Sequence, residues 1–232
     1  APPADGATTT TCVPNQDGVI AAGEAPLAAG LSATFRVATN ATVDMAGTES
    51  GGSRTWSLSE QLDGDQDLIL SLRSAGYQWF SAEFPSATYV TELSSESDLL
   101  GVFEVTDAAL LLLGVVSPDD GLYRTELTYE PPVRVLSFPF EAGDTWTTDA
   151  EVSGLATGVI SLYDEEYESL VDASGTLATP YGEFPVLRVR TDLTRVVGAA
   201  VVTRRTYVFV SECFGTVATV VSQDYENDDD FD

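Results

Sequence analysis

The stretch VPNQDGVIAAGE, residues 13–24, carries the residue types of a calcium loop. Such a loop surrounds a hard cation with oxygen ligands and turns sharply at a glycine. Asn15, Asp17 and Glu24 fall at its third, fifth and twelfth positions, Gly18 at the sixth, and Val19 would lend its main-chain carbonyl at the seventh. The first position departs from the pattern, because Val13 stands where an aspartate belongs. A second acidic spacing, DGDQD, alternates Asp63, Asp65 and Asp67, but Leu68 occupies the glycine place. Both stretches read either as calcium sites or as polar turns. A third cluster is basic. Five of the ten arginines lie between Arg188 and Arg205. Arg188, Arg190, Arg204 and Arg205 are candidates for holding an anion. With a turn near Gly198, Arg190 comes close to Arg205, so the other reading interleaves carboxylates from a neighbouring strand to relieve the repulsion.

The absences are as informative. The chain has no histidine and no lysine. Ser-His-Asp and Cys-His nucleophile systems are excluded, as are histidine-ligated zinc and a lysine Schiff base. Two cysteines cannot build a structural zinc site. Phosphate-loop and dinucleotide fingerprints are missing. Carboxylates remain, so a carboxylate-dependent hydrolase stays open as an alternative. YDEEYE, residues 163–168, packs four acids with two tyrosines, either as a sugar cleft or as a solvated face. No residue is singled out as catalytic.

Charge bounds the partners. Thirty-seven acidic residues against ten basic ones give −27. That charge repels phosphate backbones, which excludes nucleic acid, and it disfavours anionic membrane surfaces. The longest apolar run, AALLLLGVV at 108–116, is far short of the roughly 20 residues that span a bilayer. The opening APPADGATTTT reads as the start of a mature exported chain. Export agrees with the cysteines, since an even pair in an exported chain makes a disulfide, here Cys12 with Cys213.

The elements that must position these residues are strands. LSATFRVAT, GVISLY, FPVLRVRT and TYVFVSE alternate or run β-branched, and turn chemistry recurs at short spacing in NQDG, LDGD, PDDG, EAGD and PYGE. DAALLLL and YDEEYESL suit a short helix or a strand. AEFPSATYVTEL (82–93) is echoed by GEFPVLRVRTDL (182–193), and Trp56 precedes the first copy as Trp146 precedes the second. The echo predicts an all-β fold of two similar antiparallel β-meander units forming one sandwich or curved half-barrel. The expected division is a polar leader over 1–30, a first unit over 31–117, a second over 118–223 and an acidic tail over 224–232. In the two copies Phe84 and Phe184 are expected at equivalent core positions.

Three phrases of the second half, PPVRVLSFPFEAGDTW (131–146), GTLATPYGEFPVLRV (175–189) and YVFVSECFGTVATVVS (207–222), resemble a broad family of uncharacterised exported bacterial β proteins. The first half, with CVPNQDG, is similar to exported proteins of myxobacteria and their relatives. The resemblance implies a secreted or cell-envelope location and a curved antiparallel sheet. It brings no catalytic residues.

The expectation is therefore a non-catalytic secreted or envelope protein with a binding or assembly role, needing no cofactor unless calcium binds. The first alternative, ahead of the hydrolase, is a subunit of an extracellular filament or surface layer, a homo-oligomer whose polar ends dock on a neighbour's sheet edge.

Overall fold

A computed structural model describes residues 12–51, 53–95 and 97–226. The two ends invoked for filament assembly, 1–11 and 227–232, lie outside the described residues. The strands are β1 (Val19–Ile20), β2 (Ser32–Val37), β3 (Thr48–Ser50), β4 (Ser53–Ser57), β5 (Gln66–Ser71), β6 (Tyr89–Ser94), β7 (Ser97–Val105), β8 (Ala109–Val116), β9 (Glu126–Ser137), β10 (Phe140–Glu141), β11 (Thr145–Ala156), β12 (Val159–Thr179), β13 (Gly182–Val197), β14 (Ala200–Ser211) and β15 (Gly215–Val221). From β6 to β15 each strand pairs antiparallel with the next, with β10 left out of the path. Hairpin β3–β4 joins by a parallel pairing of β4 with β12, which makes eleven strands. The sheet curls into a half-barrel. Bulges in five of its ladders, at Val171/Ala173 and Phe209/Val210 among others, add the local twist that curling needs.

One apolar cluster draws side chains from every strand between β6 and β14, including Tyr89, Phe103, Leu112, Tyr129, Val152, Val171, Val189 and Val210. Only the face around which the sheet curls can bring those together, so this is the inner face. Ile20 from β1 and Phe140 from β10 close it, paired with each other in a two-stranded ribbon. Residues 19–27, expected as a polar leader, thus supply part of the core. The outer face carries two smaller clusters. Phe80 and Phe84 cover β6–β8, and Met45 with Trp56 covers β12–β14. This explains why AALLLLGVV is a strand and not a helix. Leu110, Leu112 and Val115 face the inner cluster while Leu113 and Val116 face the outer one, so β8 is apolar on both sides.

The echoed phrases do not occupy equivalent places, and the expected match fails. Phe84 sits in a turn before β6, where it accepts a hydrogen bond from the Ala87 N–H at 3.1 Å. Phe184 sits inside β13, opposite Leu177, and is only half-buried. Trp56 is buried on the parallel strand β4, whereas Trp146 is partly exposed on β11. Pro85 starts a turn, while Pro185 lies near a strand start with an apolar ladder ahead of it. The same residue types serve two different backbones. The 117/118 boundary also falls within one continuous sheet, because β8 pairs with β9.

Hairpin β3–β4 lies so close to β12 that a Cβ on Gly175 would be 1.9 Å from the Arg54 carbonyl oxygen. Replacing Gly175 by Ala must push β4 away and open the pocket of Trp56. Overpacking of this kind costs about 1–3 kcal/mol. Gly175→Ala is expected to lower the urea midpoint and shift part of the tryptophan emission to the red. An unchanged midpoint would show that the close approach is not needed.

Candidate functional site

The loop at 13–24 closes on itself. The Asn15 side-chain amide donates to Asp17 Oδ2 at 3.0 Å and to Glu24 Oε1 at 3.2 Å, occupying the place between the two carboxylates. Asp17 Oδ1 accepts the Val19 N–H at 2.9 Å, and Glu24 Oε2 accepts the Ala21 N–H at 2.9 Å. Glu212 accepts the N–H groups of Asn15 and Gln16. The disulfide Cys12–Cys213, with Cα atoms 5.5 Å apart, and a bond from the Cys213 N–H to the Glu24 carbonyl at 2.7 Å pin this loop to the turn before β15. Asn15, Asp17 and Glu24 do converge, as the spacing implied, but the donors they meet are amides. The second acidic spacing does not assemble a ligand set. Asp65 Oδ2 accepts the Leu62 N–H, and Asp67 is held by Arg36 at 3.1 Å and by the Tyr181 hydroxyl at 3.0 Å. Among the described residues no group of three or more acids or cysteines could hold a metal ion.

The arginine cluster resolves into ion pairs. Arg188 is 4% exposed. Its Nε and Nη2 donate to both oxygens of Asp172 at 2.9 and 2.8 Å, and its Nη1 donates to the Met45 carbonyl. The guanidinium also lies over the rings of Trp56, at 4.9 Å, and Tyr207, at 4.6 Å. Arg205 binds Asp192 at 2.6 Å, and Arg190 Nε lies 3.2 Å from the same carboxylate without hydrogen-bond alignment. Arg204 binds Asp224 at 2.5 Å. Arg190 and Arg205 are thus relieved by interleaved acid, and the anion-pocket reading loses its cations to Asp172, Asp192 and Asp224.

A different constellation emerges from β12. Its period of two sends Tyr163, Glu165 and Tyr167 to the inner face and Asp164, Glu166 and Glu168 to the outer one. Glu165 is 1% exposed. It is ion-paired with Arg195 at 2.5 Å and accepts a hydrogen bond from the Tyr167 hydroxyl, and Tyr129 lies close enough for the Glu165 charge to act on it. Arg195 lies over the Tyr163 ring at 5.4 Å. Burial pushes the Tyr129, Tyr163 and Tyr167 phenols up, and the Glu165 charge adds to the shift in each. Burial opposes the Arg195 charge, but the charge and hydrogen bond of Glu165 hold it above its usual value. The quoted stretch YDEEYE shows half of this cluster. Tyr129 and Arg195 come from strands whose register the sequence does not display.

The outer face of the same strands ends differently. The β11–β12 hairpin overhangs β13, whose ladder with β12 begins only at Asp164↔Val196. The hairpin turn is held by residues 122–124, the Gly158 N–H donating to the Arg124 carbonyl at 2.8 Å. Around it Ile160 is 86% exposed, Leu162 64%, Leu122 83% and Tyr123 78%, and Val201 of β14, opposite Val196, is exposed on the same outer face. One step along the face the side chains turn acidic. Asp149 faces Glu166, and Glu151 faces Asp164. A groove of about 330 Å³ is lined by these four carboxylates together with Thr194 and Val196.

Arg188→Met should leave Asp172 buried without its partner, a change that typically costs about 3–5 kcal/mol. The double variant Arg188→Met, Asp172→Asn is expected to recover much of that loss in urea titrations. Equal stability of the single variant and the parent would overturn the assignment. The tyrosines set an alkaline limit. The folded state holds their protons more tightly than the unfolded chain, so this stabilisation is complete below about pH 10, the unfolded phenol value, and is lost as pH rises from there toward the folded values. Absorbance at the phenolate band should therefore rise in two stages, exposed tyrosines first and the buried ones only with unfolding. A single stage in a chain still folded by circular dichroism would refute it.

No protein-family model, curated protein or solved structure matches the chain, so the guide to its role is the arrangement of its own side chains.

Proposed function

We propose that the chain is a non-catalytic binding protein of an extracytoplasmic compartment and that it binds through the overhanging end of its half-barrel. The observation that carries this reading is the set of large apolar side chains, Leu122, Tyr123, Ile160 and Leu162, left exposed at the β11–β12 hairpin end, where residues 122–123 abut Gly158. Solitary exposed apolar residues are ordinary, whereas a contiguous group mostly marks an interaction surface. The Cys12–Cys213 disulfide supports an oxidising location. No helix among the described residues is long and apolar enough to cross a membrane. The inner-face cluster favours a structural over a catalytic part. Its phenols are held protonated, and its carboxylate is shut in by Arg195 and Tyr167.

Panning the disulfide-bonded protein against a displayed library of random peptides tests the reading. Enriched binders are expected to lose the variant Ile160→Asn, Leu162→Asn and to retain Phe214→Asn, an exposed position elsewhere. Binders indifferent to the double substitution would show that this end is not the binding surface. Filaments in electron micrographs of the purified protein would favour the assembly alternative.

A further inference from the structure

We infer that the overhanging end receives an extended, basic segment of another protein, added as a strand along Val159–Tyr163. This rests on the binding role proposed above and specifies the partner. Among the described residues, 159–163 pair with β11 on one side only, since the ladder of β12 with β13 begins at Asp164↔Val196. Their other edge, with its alternate N–H and C=O groups, is an unfilled template for a strand. The exposed side chains on the outer face of this edge are Ile160 and Leu162, so an arriving strand has apolar cross-strand neighbours to cover.

The adjoining carboxylates select the sign of the partner. Asp149 opposes Glu166 and Glu151 opposes Asp164 across the β11–β12 ladder, and Glu151 also opposes Glu130 on β9. Like charges directly opposite one another destabilise a sheet. Among the described residues none of Asp149, Glu151, Asp164 and Glu166 takes part in a salt bridge. The other side of the chain shows the contrast, where each of Asp172, Asp192 and Asp224 is matched by arginine. A second copy of this chain would bring another acidic face and another −27 to the same edge. A segment with valine or isoleucine beside Ile160 and Leu162, ending where β13 begins in arginine or lysine whose long side chains reach along the outer face to Asp164 and Glu166, satisfies both the apolar and the charged halves.

The probe is a short fluorescent peptide in which threonine alternates with Val and Ile and two arginines stand at the end nearest β13, made in both chain directions, with a twin carrying Glu for Arg. Anisotropy should show binding by one direction of the arginine peptide and none by the twin. It should weaken strongly between 0.01 and 1 M salt, as the screening length falls from about 30 to about 3 Å. Hydrogen exchange should slow at 159–163 in the complex. Asp164→Asn, Glu166→Gln should weaken binding by about tenfold, equivalent to roughly 1.4 kcal/mol, and Ile160→Asn, Leu162→Asn should abolish it. Equal binding of the glutamate twin, or indifference to the charge variant, overturns the basic partner while leaving the binding end in place. Binding that survives Ile160→Asn, Leu162→Asn overturns both readings. No binding by the arginine peptide overturns the proposal. So does a dimer in sedimentation that the apolar double variant dissolves, because a second copy then fills the edge.

Discussion

The guanidinium of Arg188 is the contact on which the outer side of this fold depends. It reaches Asp172 at the bulge of β12, the carbonyl of Met45, and the rings of Trp56 on β4 and Tyr207 on β14. A buried charge is costly unless every donor is used and the counter-charge is fixed. Here a bidentate carboxylate and a carbonyl meet three of its N–H groups, and two aromatic faces shield the plane. Residues 43–58 contribute little regular structure of their own. They stay on the sheet because Trp56 and Met45 fill the cluster beneath them and because Arg188 ties their backbone to β12 and β13. The bulge at Asp172 is part of the same device. It reverses the facing of β12, so that Val171 points into the inner core and Leu177 into the outer one.

A chain of net charge −27 must place its few cations well. Strands β13 and β14 hold five of the ten arginines, and all five sit beside carboxylates from β12, β13 or the residues after β15. The sheet there is laced by charge across its strands. Glu165 shows the extreme. It is buried and paired with the partly exposed Arg195, and three phenols complete its surroundings, so the inner face gains a polar network without an unpaired charge. Toward the β11–β12 tip the compensation stops, and acidic side chains face one another beside bare apolar ones. Compensated and uncompensated regions thus lie on the same three strands, a few residues apart.

Much of the architecture was legible in residue order. Alternation in FPVLRVRT and TYVFVSE, and the turn glycines between such runs, give a meander of antiparallel strands. The cysteine pair was legible from number and context. The convergence of Asn15, Asp17 and Glu24 followed from spacing, because a loop of that length with glycine at its sixth place folds its ends together whether or not a cation is there. What could not be read was register. Glu165 meets Arg195 only because β12 and β13 pair with Asp164 opposite Val196, and no local pattern states that offset. The arginines looked like one cluster because they are near in sequence, yet period two sends Arg204 and Arg205 to opposite faces. The echo of EFP misled for a related reason. A phrase fixes residue types, whereas its place in a turn or a ladder is settled by what lies opposite, and Leu177 lies opposite only one of the two phenylalanines.

The pairing of β1 with β10, together with the bond between Cys12 and Cys213, has a bearing on how the protein is made. Ribosomal synthesis delivers the chain in order from its N-terminal side. Val19 and Ile20 must then wait for Phe140 and Glu141 before they have a ladder, and Cys12 must wait for nearly the whole chain. The meander can grow hairpin by hairpin as it emerges, from β6 through β15. The inner core is sealed last, by the part that arrives first. The disulfide therefore acts on this protein as a latch on a nearly completed sheet, and a chain cut short before Cys213 would leave Cys12 with no thiol to meet.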